Sequence, residues 1–378
     1  MAVTWNSAKR TNGIVRYGLD SLRLKQQVES ADIKVKGGND SSYNYKAEIK
    51  NLNPGTRYYY QCGSEAGGWS AVYTFKTAPI PGKKGKYTIG VWGDTQNNAG
   101  NLAFEQTSKI VDQLAKFPLD LSIHMGDIVE NGSVENSWFD FLKIAQPVTS
   151  KAPFMPVVGN HDVVNNIDQI NFQKPFQIFY NSFQLPNQYL NYSYDYGNVH
   201  FVAINSGFAQ GAAKVGKVLL HQNSPDYIWL EKDLSAARKN KNVTWIILYT
   251  HYPVYSFGVS HIQEWQHNLS PILDRYKVDL CLSGHRHVYE RHKAIRTNAE
   301  EDLKFGSYYD HSNGTVYITN GSSGGSLQGV GGFNMSSIVF TPKEKTFTYA
   351  IMTVDGNSIH YDVYDQNDHK IDFFKIVK

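Results

Sequence analysis

The sequence is poor in cysteine: its 378 residues contain two, Cys62 and Cys281. Two cysteines so far apart do not make a disulfide framework, and no Cys-x-x-Cys pair offers a structural zinc site. Long apolar runs are also lacking, since no stretch reaches the roughly 18 residues of a membrane span. The formal net charge is +3, too small an excess to indicate nucleic-acid binding. We therefore expect a globular protein with no membrane span and no nucleic-acid partner.

Residues 1–80 predict a β-sheet domain, because short aromatic and β-branched runs alternate there with Gly, Asn and Pro. The stretch LNPGTRYYY, residues 52–60, resembles the turn before a late strand of a fibronectin type III-like β-sandwich, with Tyr58 or Tyr60 as its tyrosine corner. Such sandwiches have about seven strands, whereas about five or six can be recognised here. We therefore expect that this chain lacks the first strand of the sandwich.

A short linker, APIPGKKGK at residues 78–86, separates this domain from residues 87–378. Beyond it, compact apolar runs alternate with amphipathic helical patterns at residues 103–117 and 225–238. Runs of this kind are typical of strands that are covered on both faces. Residues 315–378 return to a β pattern. The sequence thus predicts an α/β domain after the linker.

Five apolar runs of the second domain end in residues suited to metal binding. Glycine directly precedes the polar residue in four of the five, which permits a sharp turn and a close backbone approach. Open α/β sheets bind their ligands at the carboxyl ends of strands, so we expect these residues to converge. The candidates are two carboxylates, one amide and three imidazoles: Asp94, Asp127, Asn160, His251, His285 and His287.

This donor set contains no thiolate and suits two transition-metal ions. Asp127 is the best bridging ligand, because its block is central in the chain order. A carboxylate shared between two ions would hold them roughly 3.5–4 Å apart. Carboxylates gathered in one crevice would repel each other without cations. The pattern therefore predicts a dinuclear metal site.

The five blocks GDTQ, GDIVE, GNHD, LYTH and GHRH, which begin at residues 93, 126, 159, 248 and 284, resemble in order those of the calcineurin-like metallophosphoesterases. Among these, the chain is most similar to the purple acid phosphatase family. The resemblance implies an N-terminal fibronectin type III-like β-sandwich followed by a four-layer α/β/β/α sandwich. It also implies a dinuclear hydrolase of phosphate monoesters that uses hydroxide formed at the metals. Its partner would be a small phosphorylated substrate, and the family suggests a secreted or periplasmic location, although no signal peptide is recognisable.

The resemblance implies specific roles for the residues of these blocks. One metal would be held by Asp94, Asp127 and His287, and the other by Asp127, Asn160, His251 and His285. Three further residues of the chain would have catalytic roles. His161 would donate a hydrogen bond to the phosphate, and His261 would protonate the leaving group. Asp162 is the third residue expected to be catalytic.

Two positions depart from the family pattern. Glu130 stands where the family has the tyrosine whose phenolate colours the ferric site, so we expect a colourless protein. Gln96 ends the first block, where the family has glycine and other metallophosphoesterases have histidine. Both side chains could supply oxygen ligands, which leaves the two metal ions open among Fe, Zn and Mn.

Other functions remain open on the same sequence. The same metal site would serve a phosphodiesterase or a phosphotyrosine-protein phosphatase. A non-catalytic binding protein with a vestigial site is the alternative from another class. Outside the blocks, we interpret His124 and His200 as core histidines, and Tyr289 and Arg291 as residues that orient His287 or brace its loop.

Overall fold

The computed structural model describes residues 1–37, 40–97, 104–163, 177–186, 190–206, 220–257, 263–296, 299–300, 308–310, 314–329 and 337–378. These residues form an N-terminal β-sandwich and a larger α/β domain. Among the helices that they form, none has the length and apolar character needed to cross a membrane.

The N-terminal domain consists of two facing sheets. Its strands are β1 (Ala2–Ser7), β2 (Ile14–Gly18), β3 (Gln26–Glu29), β4 (Ala31–Gly37), β5 (Asp40–Glu48), β6 (Arg57–Ser64), β7 (Gly68–Trp69) and β8 (Tyr73–Lys76). One sheet has the order β1-β5-β4; the other has the order β3-β2-β6-β7, with β8 also paired to β6. Apolar side chains from both sheets, among them Val3, Val15 and Phe75, form the core between them.

The tyrosine corner expected in this domain is Tyr58, whose hydroxyl accepts a hydrogen bond from the backbone N–H of Asn53 at 3.0 Å. The expected number of strands was too low, because the described residues form eight. One of the missed strands, Gln26–Glu29, lies at a sheet edge with three of its four residues exposed. A strand with no buried face lacks the alternating apolar pattern by which strands are recognised.

The second domain contains two large mixed sheets. Its strands are β9 (Lys86–Trp92), β10 (Leu121–His124), β11 (Phe154–Pro156), β12 (Tyr192–Tyr196), β13 (Val199–Ile204), β14 (Trp245–Thr250), β15 (Leu280–Ser283), β16 (Tyr289–Arg296), β17 (Ala299–Glu300), β18 (Tyr308–Asp310), β19 (Thr315–Asn320), β20 (Ile338–Phe340), β21 (Thr348–Asp355), β22 (Ser358–Asp365) and β23 (Lys370–Val377). One sheet has the order β11-β10-β9-β21-β22-β23-β18. The other has the order β12-β13-β14-β15-β19-β16-β17, with β20 paired to β16.

Five helices accompany these sheets: α1 (Glu105–Leu114), α2 (Glu135–Thr149), α3 (Gln177–Ser182), α4 (Pro225–Lys239) and α5 (Gln263–Arg275). The pattern at 103–117 and 225–238 predicted α1 and α4. In α4 the Ser224 hydroxyl caps the first turn by accepting from the N–H of Tyr227 at 3.2 Å. The pattern missed α2 and α5, each of which contains an internal proline, Pro147 or Pro271, and proline normally argues against a helix interior.

The layers follow from the two faces of each sheet. In β14, Ile247 and Tyr249 belong to the core between the sheets, whereas Ile246 and Leu248 pack in a second cluster with α4 and α5. Helices α1 and α2 contribute side chains to the core around β9 and β10. The order helix, sheet, sheet, helix confirms the expected four-layer α/β/β/α sandwich.

Buried hydrogen bonds and a partly exposed ion pair join the two domains. The Tyr60 hydroxyl donates to the backbone carbonyl of Ser150 at 2.9 Å, at the end of α2. The Asn44 amide donates to the carbonyl of Asn181 at 3.2 Å, and the Lys76 ammonium lies 3.0 Å from an Asp120 carboxylate oxygen. The sandwich is therefore packed against the first sheet of the α/β domain and its helices.

Candidate metal centre

The site lies where parallel strands of both sheets end. β9, β10 and β11 are parallel neighbours in one sheet, and β13, β14 and β15 are parallel neighbours in the other. The turns after β9 and β10 carry Asp94 and Asp127, while β14 and β15 are followed by His251 and His285. The carboxyl ends of four strands thus place candidate ligands from both sheets at one site, as expected for an α/β fold.

The backbone is strained at three of the candidate ligands. Asp94, Asp127 and His285 have positive φ angles of 56°, 50° and 65°, in the left-handed region that non-glycine residues seldom occupy. Each such residue costs on the order of 1 kcal/mol or more. Strain of this kind persists where the surrounding structure enforces it for function.

Two of the glycines in the blocks are required by close approach. A Cβ atom on Gly159 would lie 2.1 Å from Oδ1 of Asp127, and one on Gly284 would lie 2.2 Å from Oδ2 of Asp94. Any side chain at these positions would push the aspartates out of place. This explains why glycine precedes the polar residue in these blocks.

Asp94 is the clearest sign of a bound cation. Its side chain is fully buried, and neither carboxylate oxygen meets the full geometry of a hydrogen bond with a described residue, although His287 Nε2 lies 3.5 Å from Oδ1. Burial, reinforced by the nearby Asp127 carboxylate, raises the pKa of Asp94 well above its usual range, and the His285 backbone N–H offsets this rise only in part. A buried carboxylate without full hydrogen bonds is costly unless a cation neutralises it. The residues present therefore fit a metal ion at this carboxylate.

The donor atoms form two groups that share one carboxylate. Asp127, His251 and His285 make one group, and Asp94, Asp127 and His287 make the other, with the donor atoms of each group within 4.8 Å of one another. Asn160 belongs with the first group, since its Oδ1 lies 3.0 Å from His251 Nε2. The structure thus brings together all six expected ligands, with Asp127 in the shared position; ligation itself stays a prediction.

Backbone carbonyls orient two of the imidazoles. His251 Nδ1 donates to the carbonyl of Met125 at 2.8 Å, and His287 Nδ1 donates to the carbonyl of Ser326 at 2.7 Å. In each ring the hydrogen bond fixes the tautomer that leaves Nε2 as the ligand atom. Sequence reasoning could not find Met125 and Ser326, because their contribution comes from the main chain.

Gln96 lies inside the site. Its Nε2 is 3.0 Å from His287 Nε2 and 3.2 Å from Asp127 Oδ2, while its Oε1 is buried and has no partner among the described residues. Oxygen and nitrogen of an amide are interchangeable by rotation. With a cation between Asp94 and Asp127, the oxygen would be the atom that turns toward it.

Glu130 lies elsewhere. Its side chain is 38% exposed, and its Oε1 is 3.4 Å from His161 Nδ1. That ring nitrogen also donates to the backbone carbonyl of Glu130 at 2.9 Å. The structure places the Glu130 carboxylate in neither donor group, so it is positioned as a neighbour of His161 rather than as a ligand.

The structure describes two of the three residues expected to be catalytic, His161 and Asp162. His161 is at the site, and its backbone N–H donates to Asp127 Oδ1 at 2.8 Å. Asp162 is buried and directed at the main chain: its Oδ1 accepts from the N–H of Ile128 at 2.7 Å, and its Oδ2 accepts from the N–H of Gly159 at 2.8 Å. This geometry favours a positioning role for Asp162 over contact with substrate. His261 lies outside the described residues.

The remaining sequence interpretations concern side chains around the site. His124 and His200 are buried core residues with hydrogen-bond partners, as expected. Tyr289 and Arg291 both donate to the buried carboxylate of Asp372 in β23, so they join the two sheets. Their expected action on His287 or its loop stays a prediction.

Comparison with known proteins identifies the family of this chain. Residues 87–289 match the family described as Calcineurin-like phosphoesterase, and residues 1–77 match the Purple acid Phosphatase, N-terminal domain. Purple acid phosphatase 21 of Arabidopsis thaliana is 27% identical over 331 residues, and the match covers 82% of this chain and 68% of the length of that protein. Fe(3+)-Zn(2+) purple acid phosphatase 12 of the same plant is 26% identical over 341 residues, and the match covers 86% of this chain and 69% of the length of that protein.

A solved structure shows the same fold. The purple acid phosphatase PPD1 from yellow lupin (Lupinus luteus) seeds superimposes with a TM-score of 0.81 at 21% identity, covering 100% of this chain and 72% of the lupin chain. The chain therefore belongs to the calcineurin-like phosphoesterase family, within which it is a purple acid phosphatase-like member.

Proposed function

We propose that the protein hydrolyses small phosphate monoesters with two metal ions. The observation that carries this proposal is the pair of donor groups joined by Asp127, one of which contains the buried Asp94 carboxylate, whose oxygens form no hydrogen bond of full geometry within the described part of the chain. One ion would be held by Asp94, Asp127 and His287, with Gln96 as a fourth ligand. The second would be held by Asp127 together with Asn160, His251 and His285.

The ions would be two of Fe, Zn and Mn. Carboxylate, amide and imidazole donors without a thiolate suit all three metals. The relative named Fe(3+)-Zn(2+) purple acid phosphatase 12 supports iron and zinc as the first pair to test. When bound, such ions polarise phosphoryl oxygens and lower the pKa of water.

The chain's own residues would bind and orient the phosphate. The His161 ring is held by its Nδ1 hydrogen bond to the Glu130 carbonyl, and its backbone N–H holds Asp127. Because Nδ1 donates to a carbonyl, Nε2 would donate to a phosphate oxygen from the doubly protonated imidazolium ring, whose positive charge would stabilise the negative charge that grows as the P–O bond breaks. We propose His261 as the proton donor to the departing alcohol. Asp162 would keep the turns around Asp127 and Gly159 together.

The test compares a monoester with a diester on metal-loaded protein. We expect p-nitrophenyl phosphate to be hydrolysed faster than bis(p-nitrophenyl) phosphate, and Asp94→Asn to lower the monoester rate by roughly 10–100-fold or more. A faster diester reaction would identify a phosphodiesterase. No hydrolysis of either compound by a protein that holds two metals would identify a binding protein and contradict the proposal.

A further inference from the structure

His124 lies under the centre, where it contacts two ligand-bearing turns. It ends β10 and is fully buried. Its Nδ1 accepts a hydrogen bond from the backbone N–H of Gly126 at 3.2 Å, and its Nε2 lies 3.1 Å from Oγ1 of Thr95. Because Nδ1 is the acceptor, Nε2 carries the proton and donates to Thr95. The Thr95 hydroxyl then donates to the carbonyl of Ile128 at 3.0 Å.

These partners are the immediate neighbours of the candidate ligands. Thr95 stands between Asp94 and Gln96, and Gly126 directly precedes Asp127. Both aspartates have the strained positive φ angles described above. One imidazole ring therefore joins the two turns that must hold an unfavourable backbone conformation at their ligand residues.

The ring itself is firmly placed. Its neighbours are the rings of Trp92, Phe141 and Phe154, with centroids 4.8, 5.8 and 5.5 Å away. Burial lowers the pKa of His124 to about 3, and His251 contributes in the same direction. The ring is therefore neutral at ordinary pH, as its combination of one acceptor and one donor nitrogen requires.

We propose that His124 is a positioning residue of the metal centre, which holds the Asp94 and Asp127 turns at the spacing that two ions need. This inference rests on the proposed metal centre. Loss of the ring would weaken both metal sites, because Asp127 is shared between them. The effect would be largest at the site that also contains Asp94, where both carboxylates depend on the ring.

Three variants of the full chain separate the contributions of the two His124 hydrogen bonds to metal binding. His124→Phe keeps a planar ring but removes both hydrogen bonds. His124→Asn retains an acceptor near the position of Nδ1, and His124→Gln retains a donor near the position of Nε2. His200→Phe is the matched control, because His200 is another buried histidine with two partners, Asp195 and Asp233. Neither partner belongs to a ligand-bearing turn.

The readouts are Zn²⁺ affinity, measured by calorimetric titration of metal-free protein, and the melting temperature of the metal-free protein. We expect His124→Phe to weaken zinc binding by roughly 10–100-fold, with smaller losses in His124→Asn and His124→Gln. His200→Phe should lower the melting temperature but leave zinc affinity at the wild-type value.

Two results would overturn the inference while leaving the metal centre intact. One is wild-type zinc affinity in a folded His124→Phe protein, or in both His124→Asn and His124→Gln if His124→Phe does not fold. The other is an equal loss of affinity in His200→Phe, which would reflect general destabilisation. A wild-type protein that binds no zinc, manganese or iron would instead overturn the proposed function itself, and the role of His124 with it.

Discussion

The Tyr252 ring stacks on the His285 imidazole, with the ring centroids 3.9 Å apart and the planes inclined by 22°. Tyr252 directly follows the candidate ligand His251, and the Trp265 indole donates to its carbonyl at 3.1 Å. The stack holds His285 Nδ1 3.0 Å from Asn160 Oδ1. Tyr252 therefore connects its sequence neighbour His251 with His285, two candidate ligands of the proposed second metal site.

Replacing Tyr252 should affect that site selectively. Tyr252→Phe keeps the stacked ring and should retain wild-type zinc affinity at both sites. Tyr252→Leu removes the ring face and should weaken the second zinc by roughly 10-fold, as measured by calorimetric titration. Equal zinc affinities in Tyr252→Leu and wild type would show that the stack does not position His285.

A methyl group at residue 159 should disrupt the centre. In Gly159→Ala the added Cβ would lie 2.1 Å from Oδ1 of Asp127, so the shared carboxylate must move. We expect loss of at least one of two bound metals and of most phosphatase activity. Gly329→Ala is the matched control, since among the described residues its Cβ would meet Lys345 Cε alone, at 3.7 Å. Full metal content in Gly159→Ala would contradict the close approach.

The pH dependence of stability should report on His200. Burial lowers its pKa, but hydrogen bonds and charge from Asp195 of β12 and Asp233 of α4 raise it more, to about 9. Because the folded pKa lies above the usual 6.5, the stabilisation is complete below about pH 6.5 and is lost as pH rises through about 9. Allowing for solvent screening, the loss is about 2 kcal/mol.

The measurement is urea unfolding from pH 6 to pH 10. Wild type should lose stability with rising pH as His200 loses its proton between Asp195 and Asp233. His200→Gln should be less stable than wild type at pH 6, and its stability should change less with pH. Parallel profiles for the two proteins would contradict the assignment.

The buried pair between Arg291 and Asp372 should be important for stability. Arg291 Nε lies 2.7 Å from Asp372 Oδ2, the Tyr289 hydroxyl donates to the same oxygen at 2.8 Å, and both charged side chains are 0% exposed. Arg291→Met leaves a buried carboxylate without its cation, which should cost about 3–5 kcal/mol. Asp362→Asn breaks the partly exposed pair with Lys370 and should cost less than about 1 kcal/mol in the same denaturant measurement. Equal losses would contradict the burial argument.

The sequence predicted the parts of this structure in which local pattern and tertiary environment agree. The apolar run around Ile247 marks a strand buried on both faces, and the polar residue after it, His251, lies at the carboxyl end of the strand, where the candidate ligands gather. The sequence failed at α2 and α5, where packing of Trp138 and Trp265 outweighs the cost of an internal proline.

The same distinction holds within the site. Side-chain ligands can be read from the blocks, because carboxylates and imidazoles carry the chemistry themselves. The carbonyls of Met125 and Ser326 and the stacked ring of Tyr252 could not be assigned, since their roles arise only when separate segments meet. Asp162 shows the converse: the family resemblance implied a catalytic role for it, but the fold directs its carboxylate at backbone N–H groups.

The most direct test of the account is the metal content of the purified chain, determined by elemental analysis after dialysis against metal-free buffer. Two donor groups that share Asp127 predict about two ions per chain in wild type. Asp127→Ala should bind neither, whereas His287→Ala should retain one. A wild-type chain that stays free of metal after incubation with zinc, manganese and iron salts would contradict the dinuclear centre.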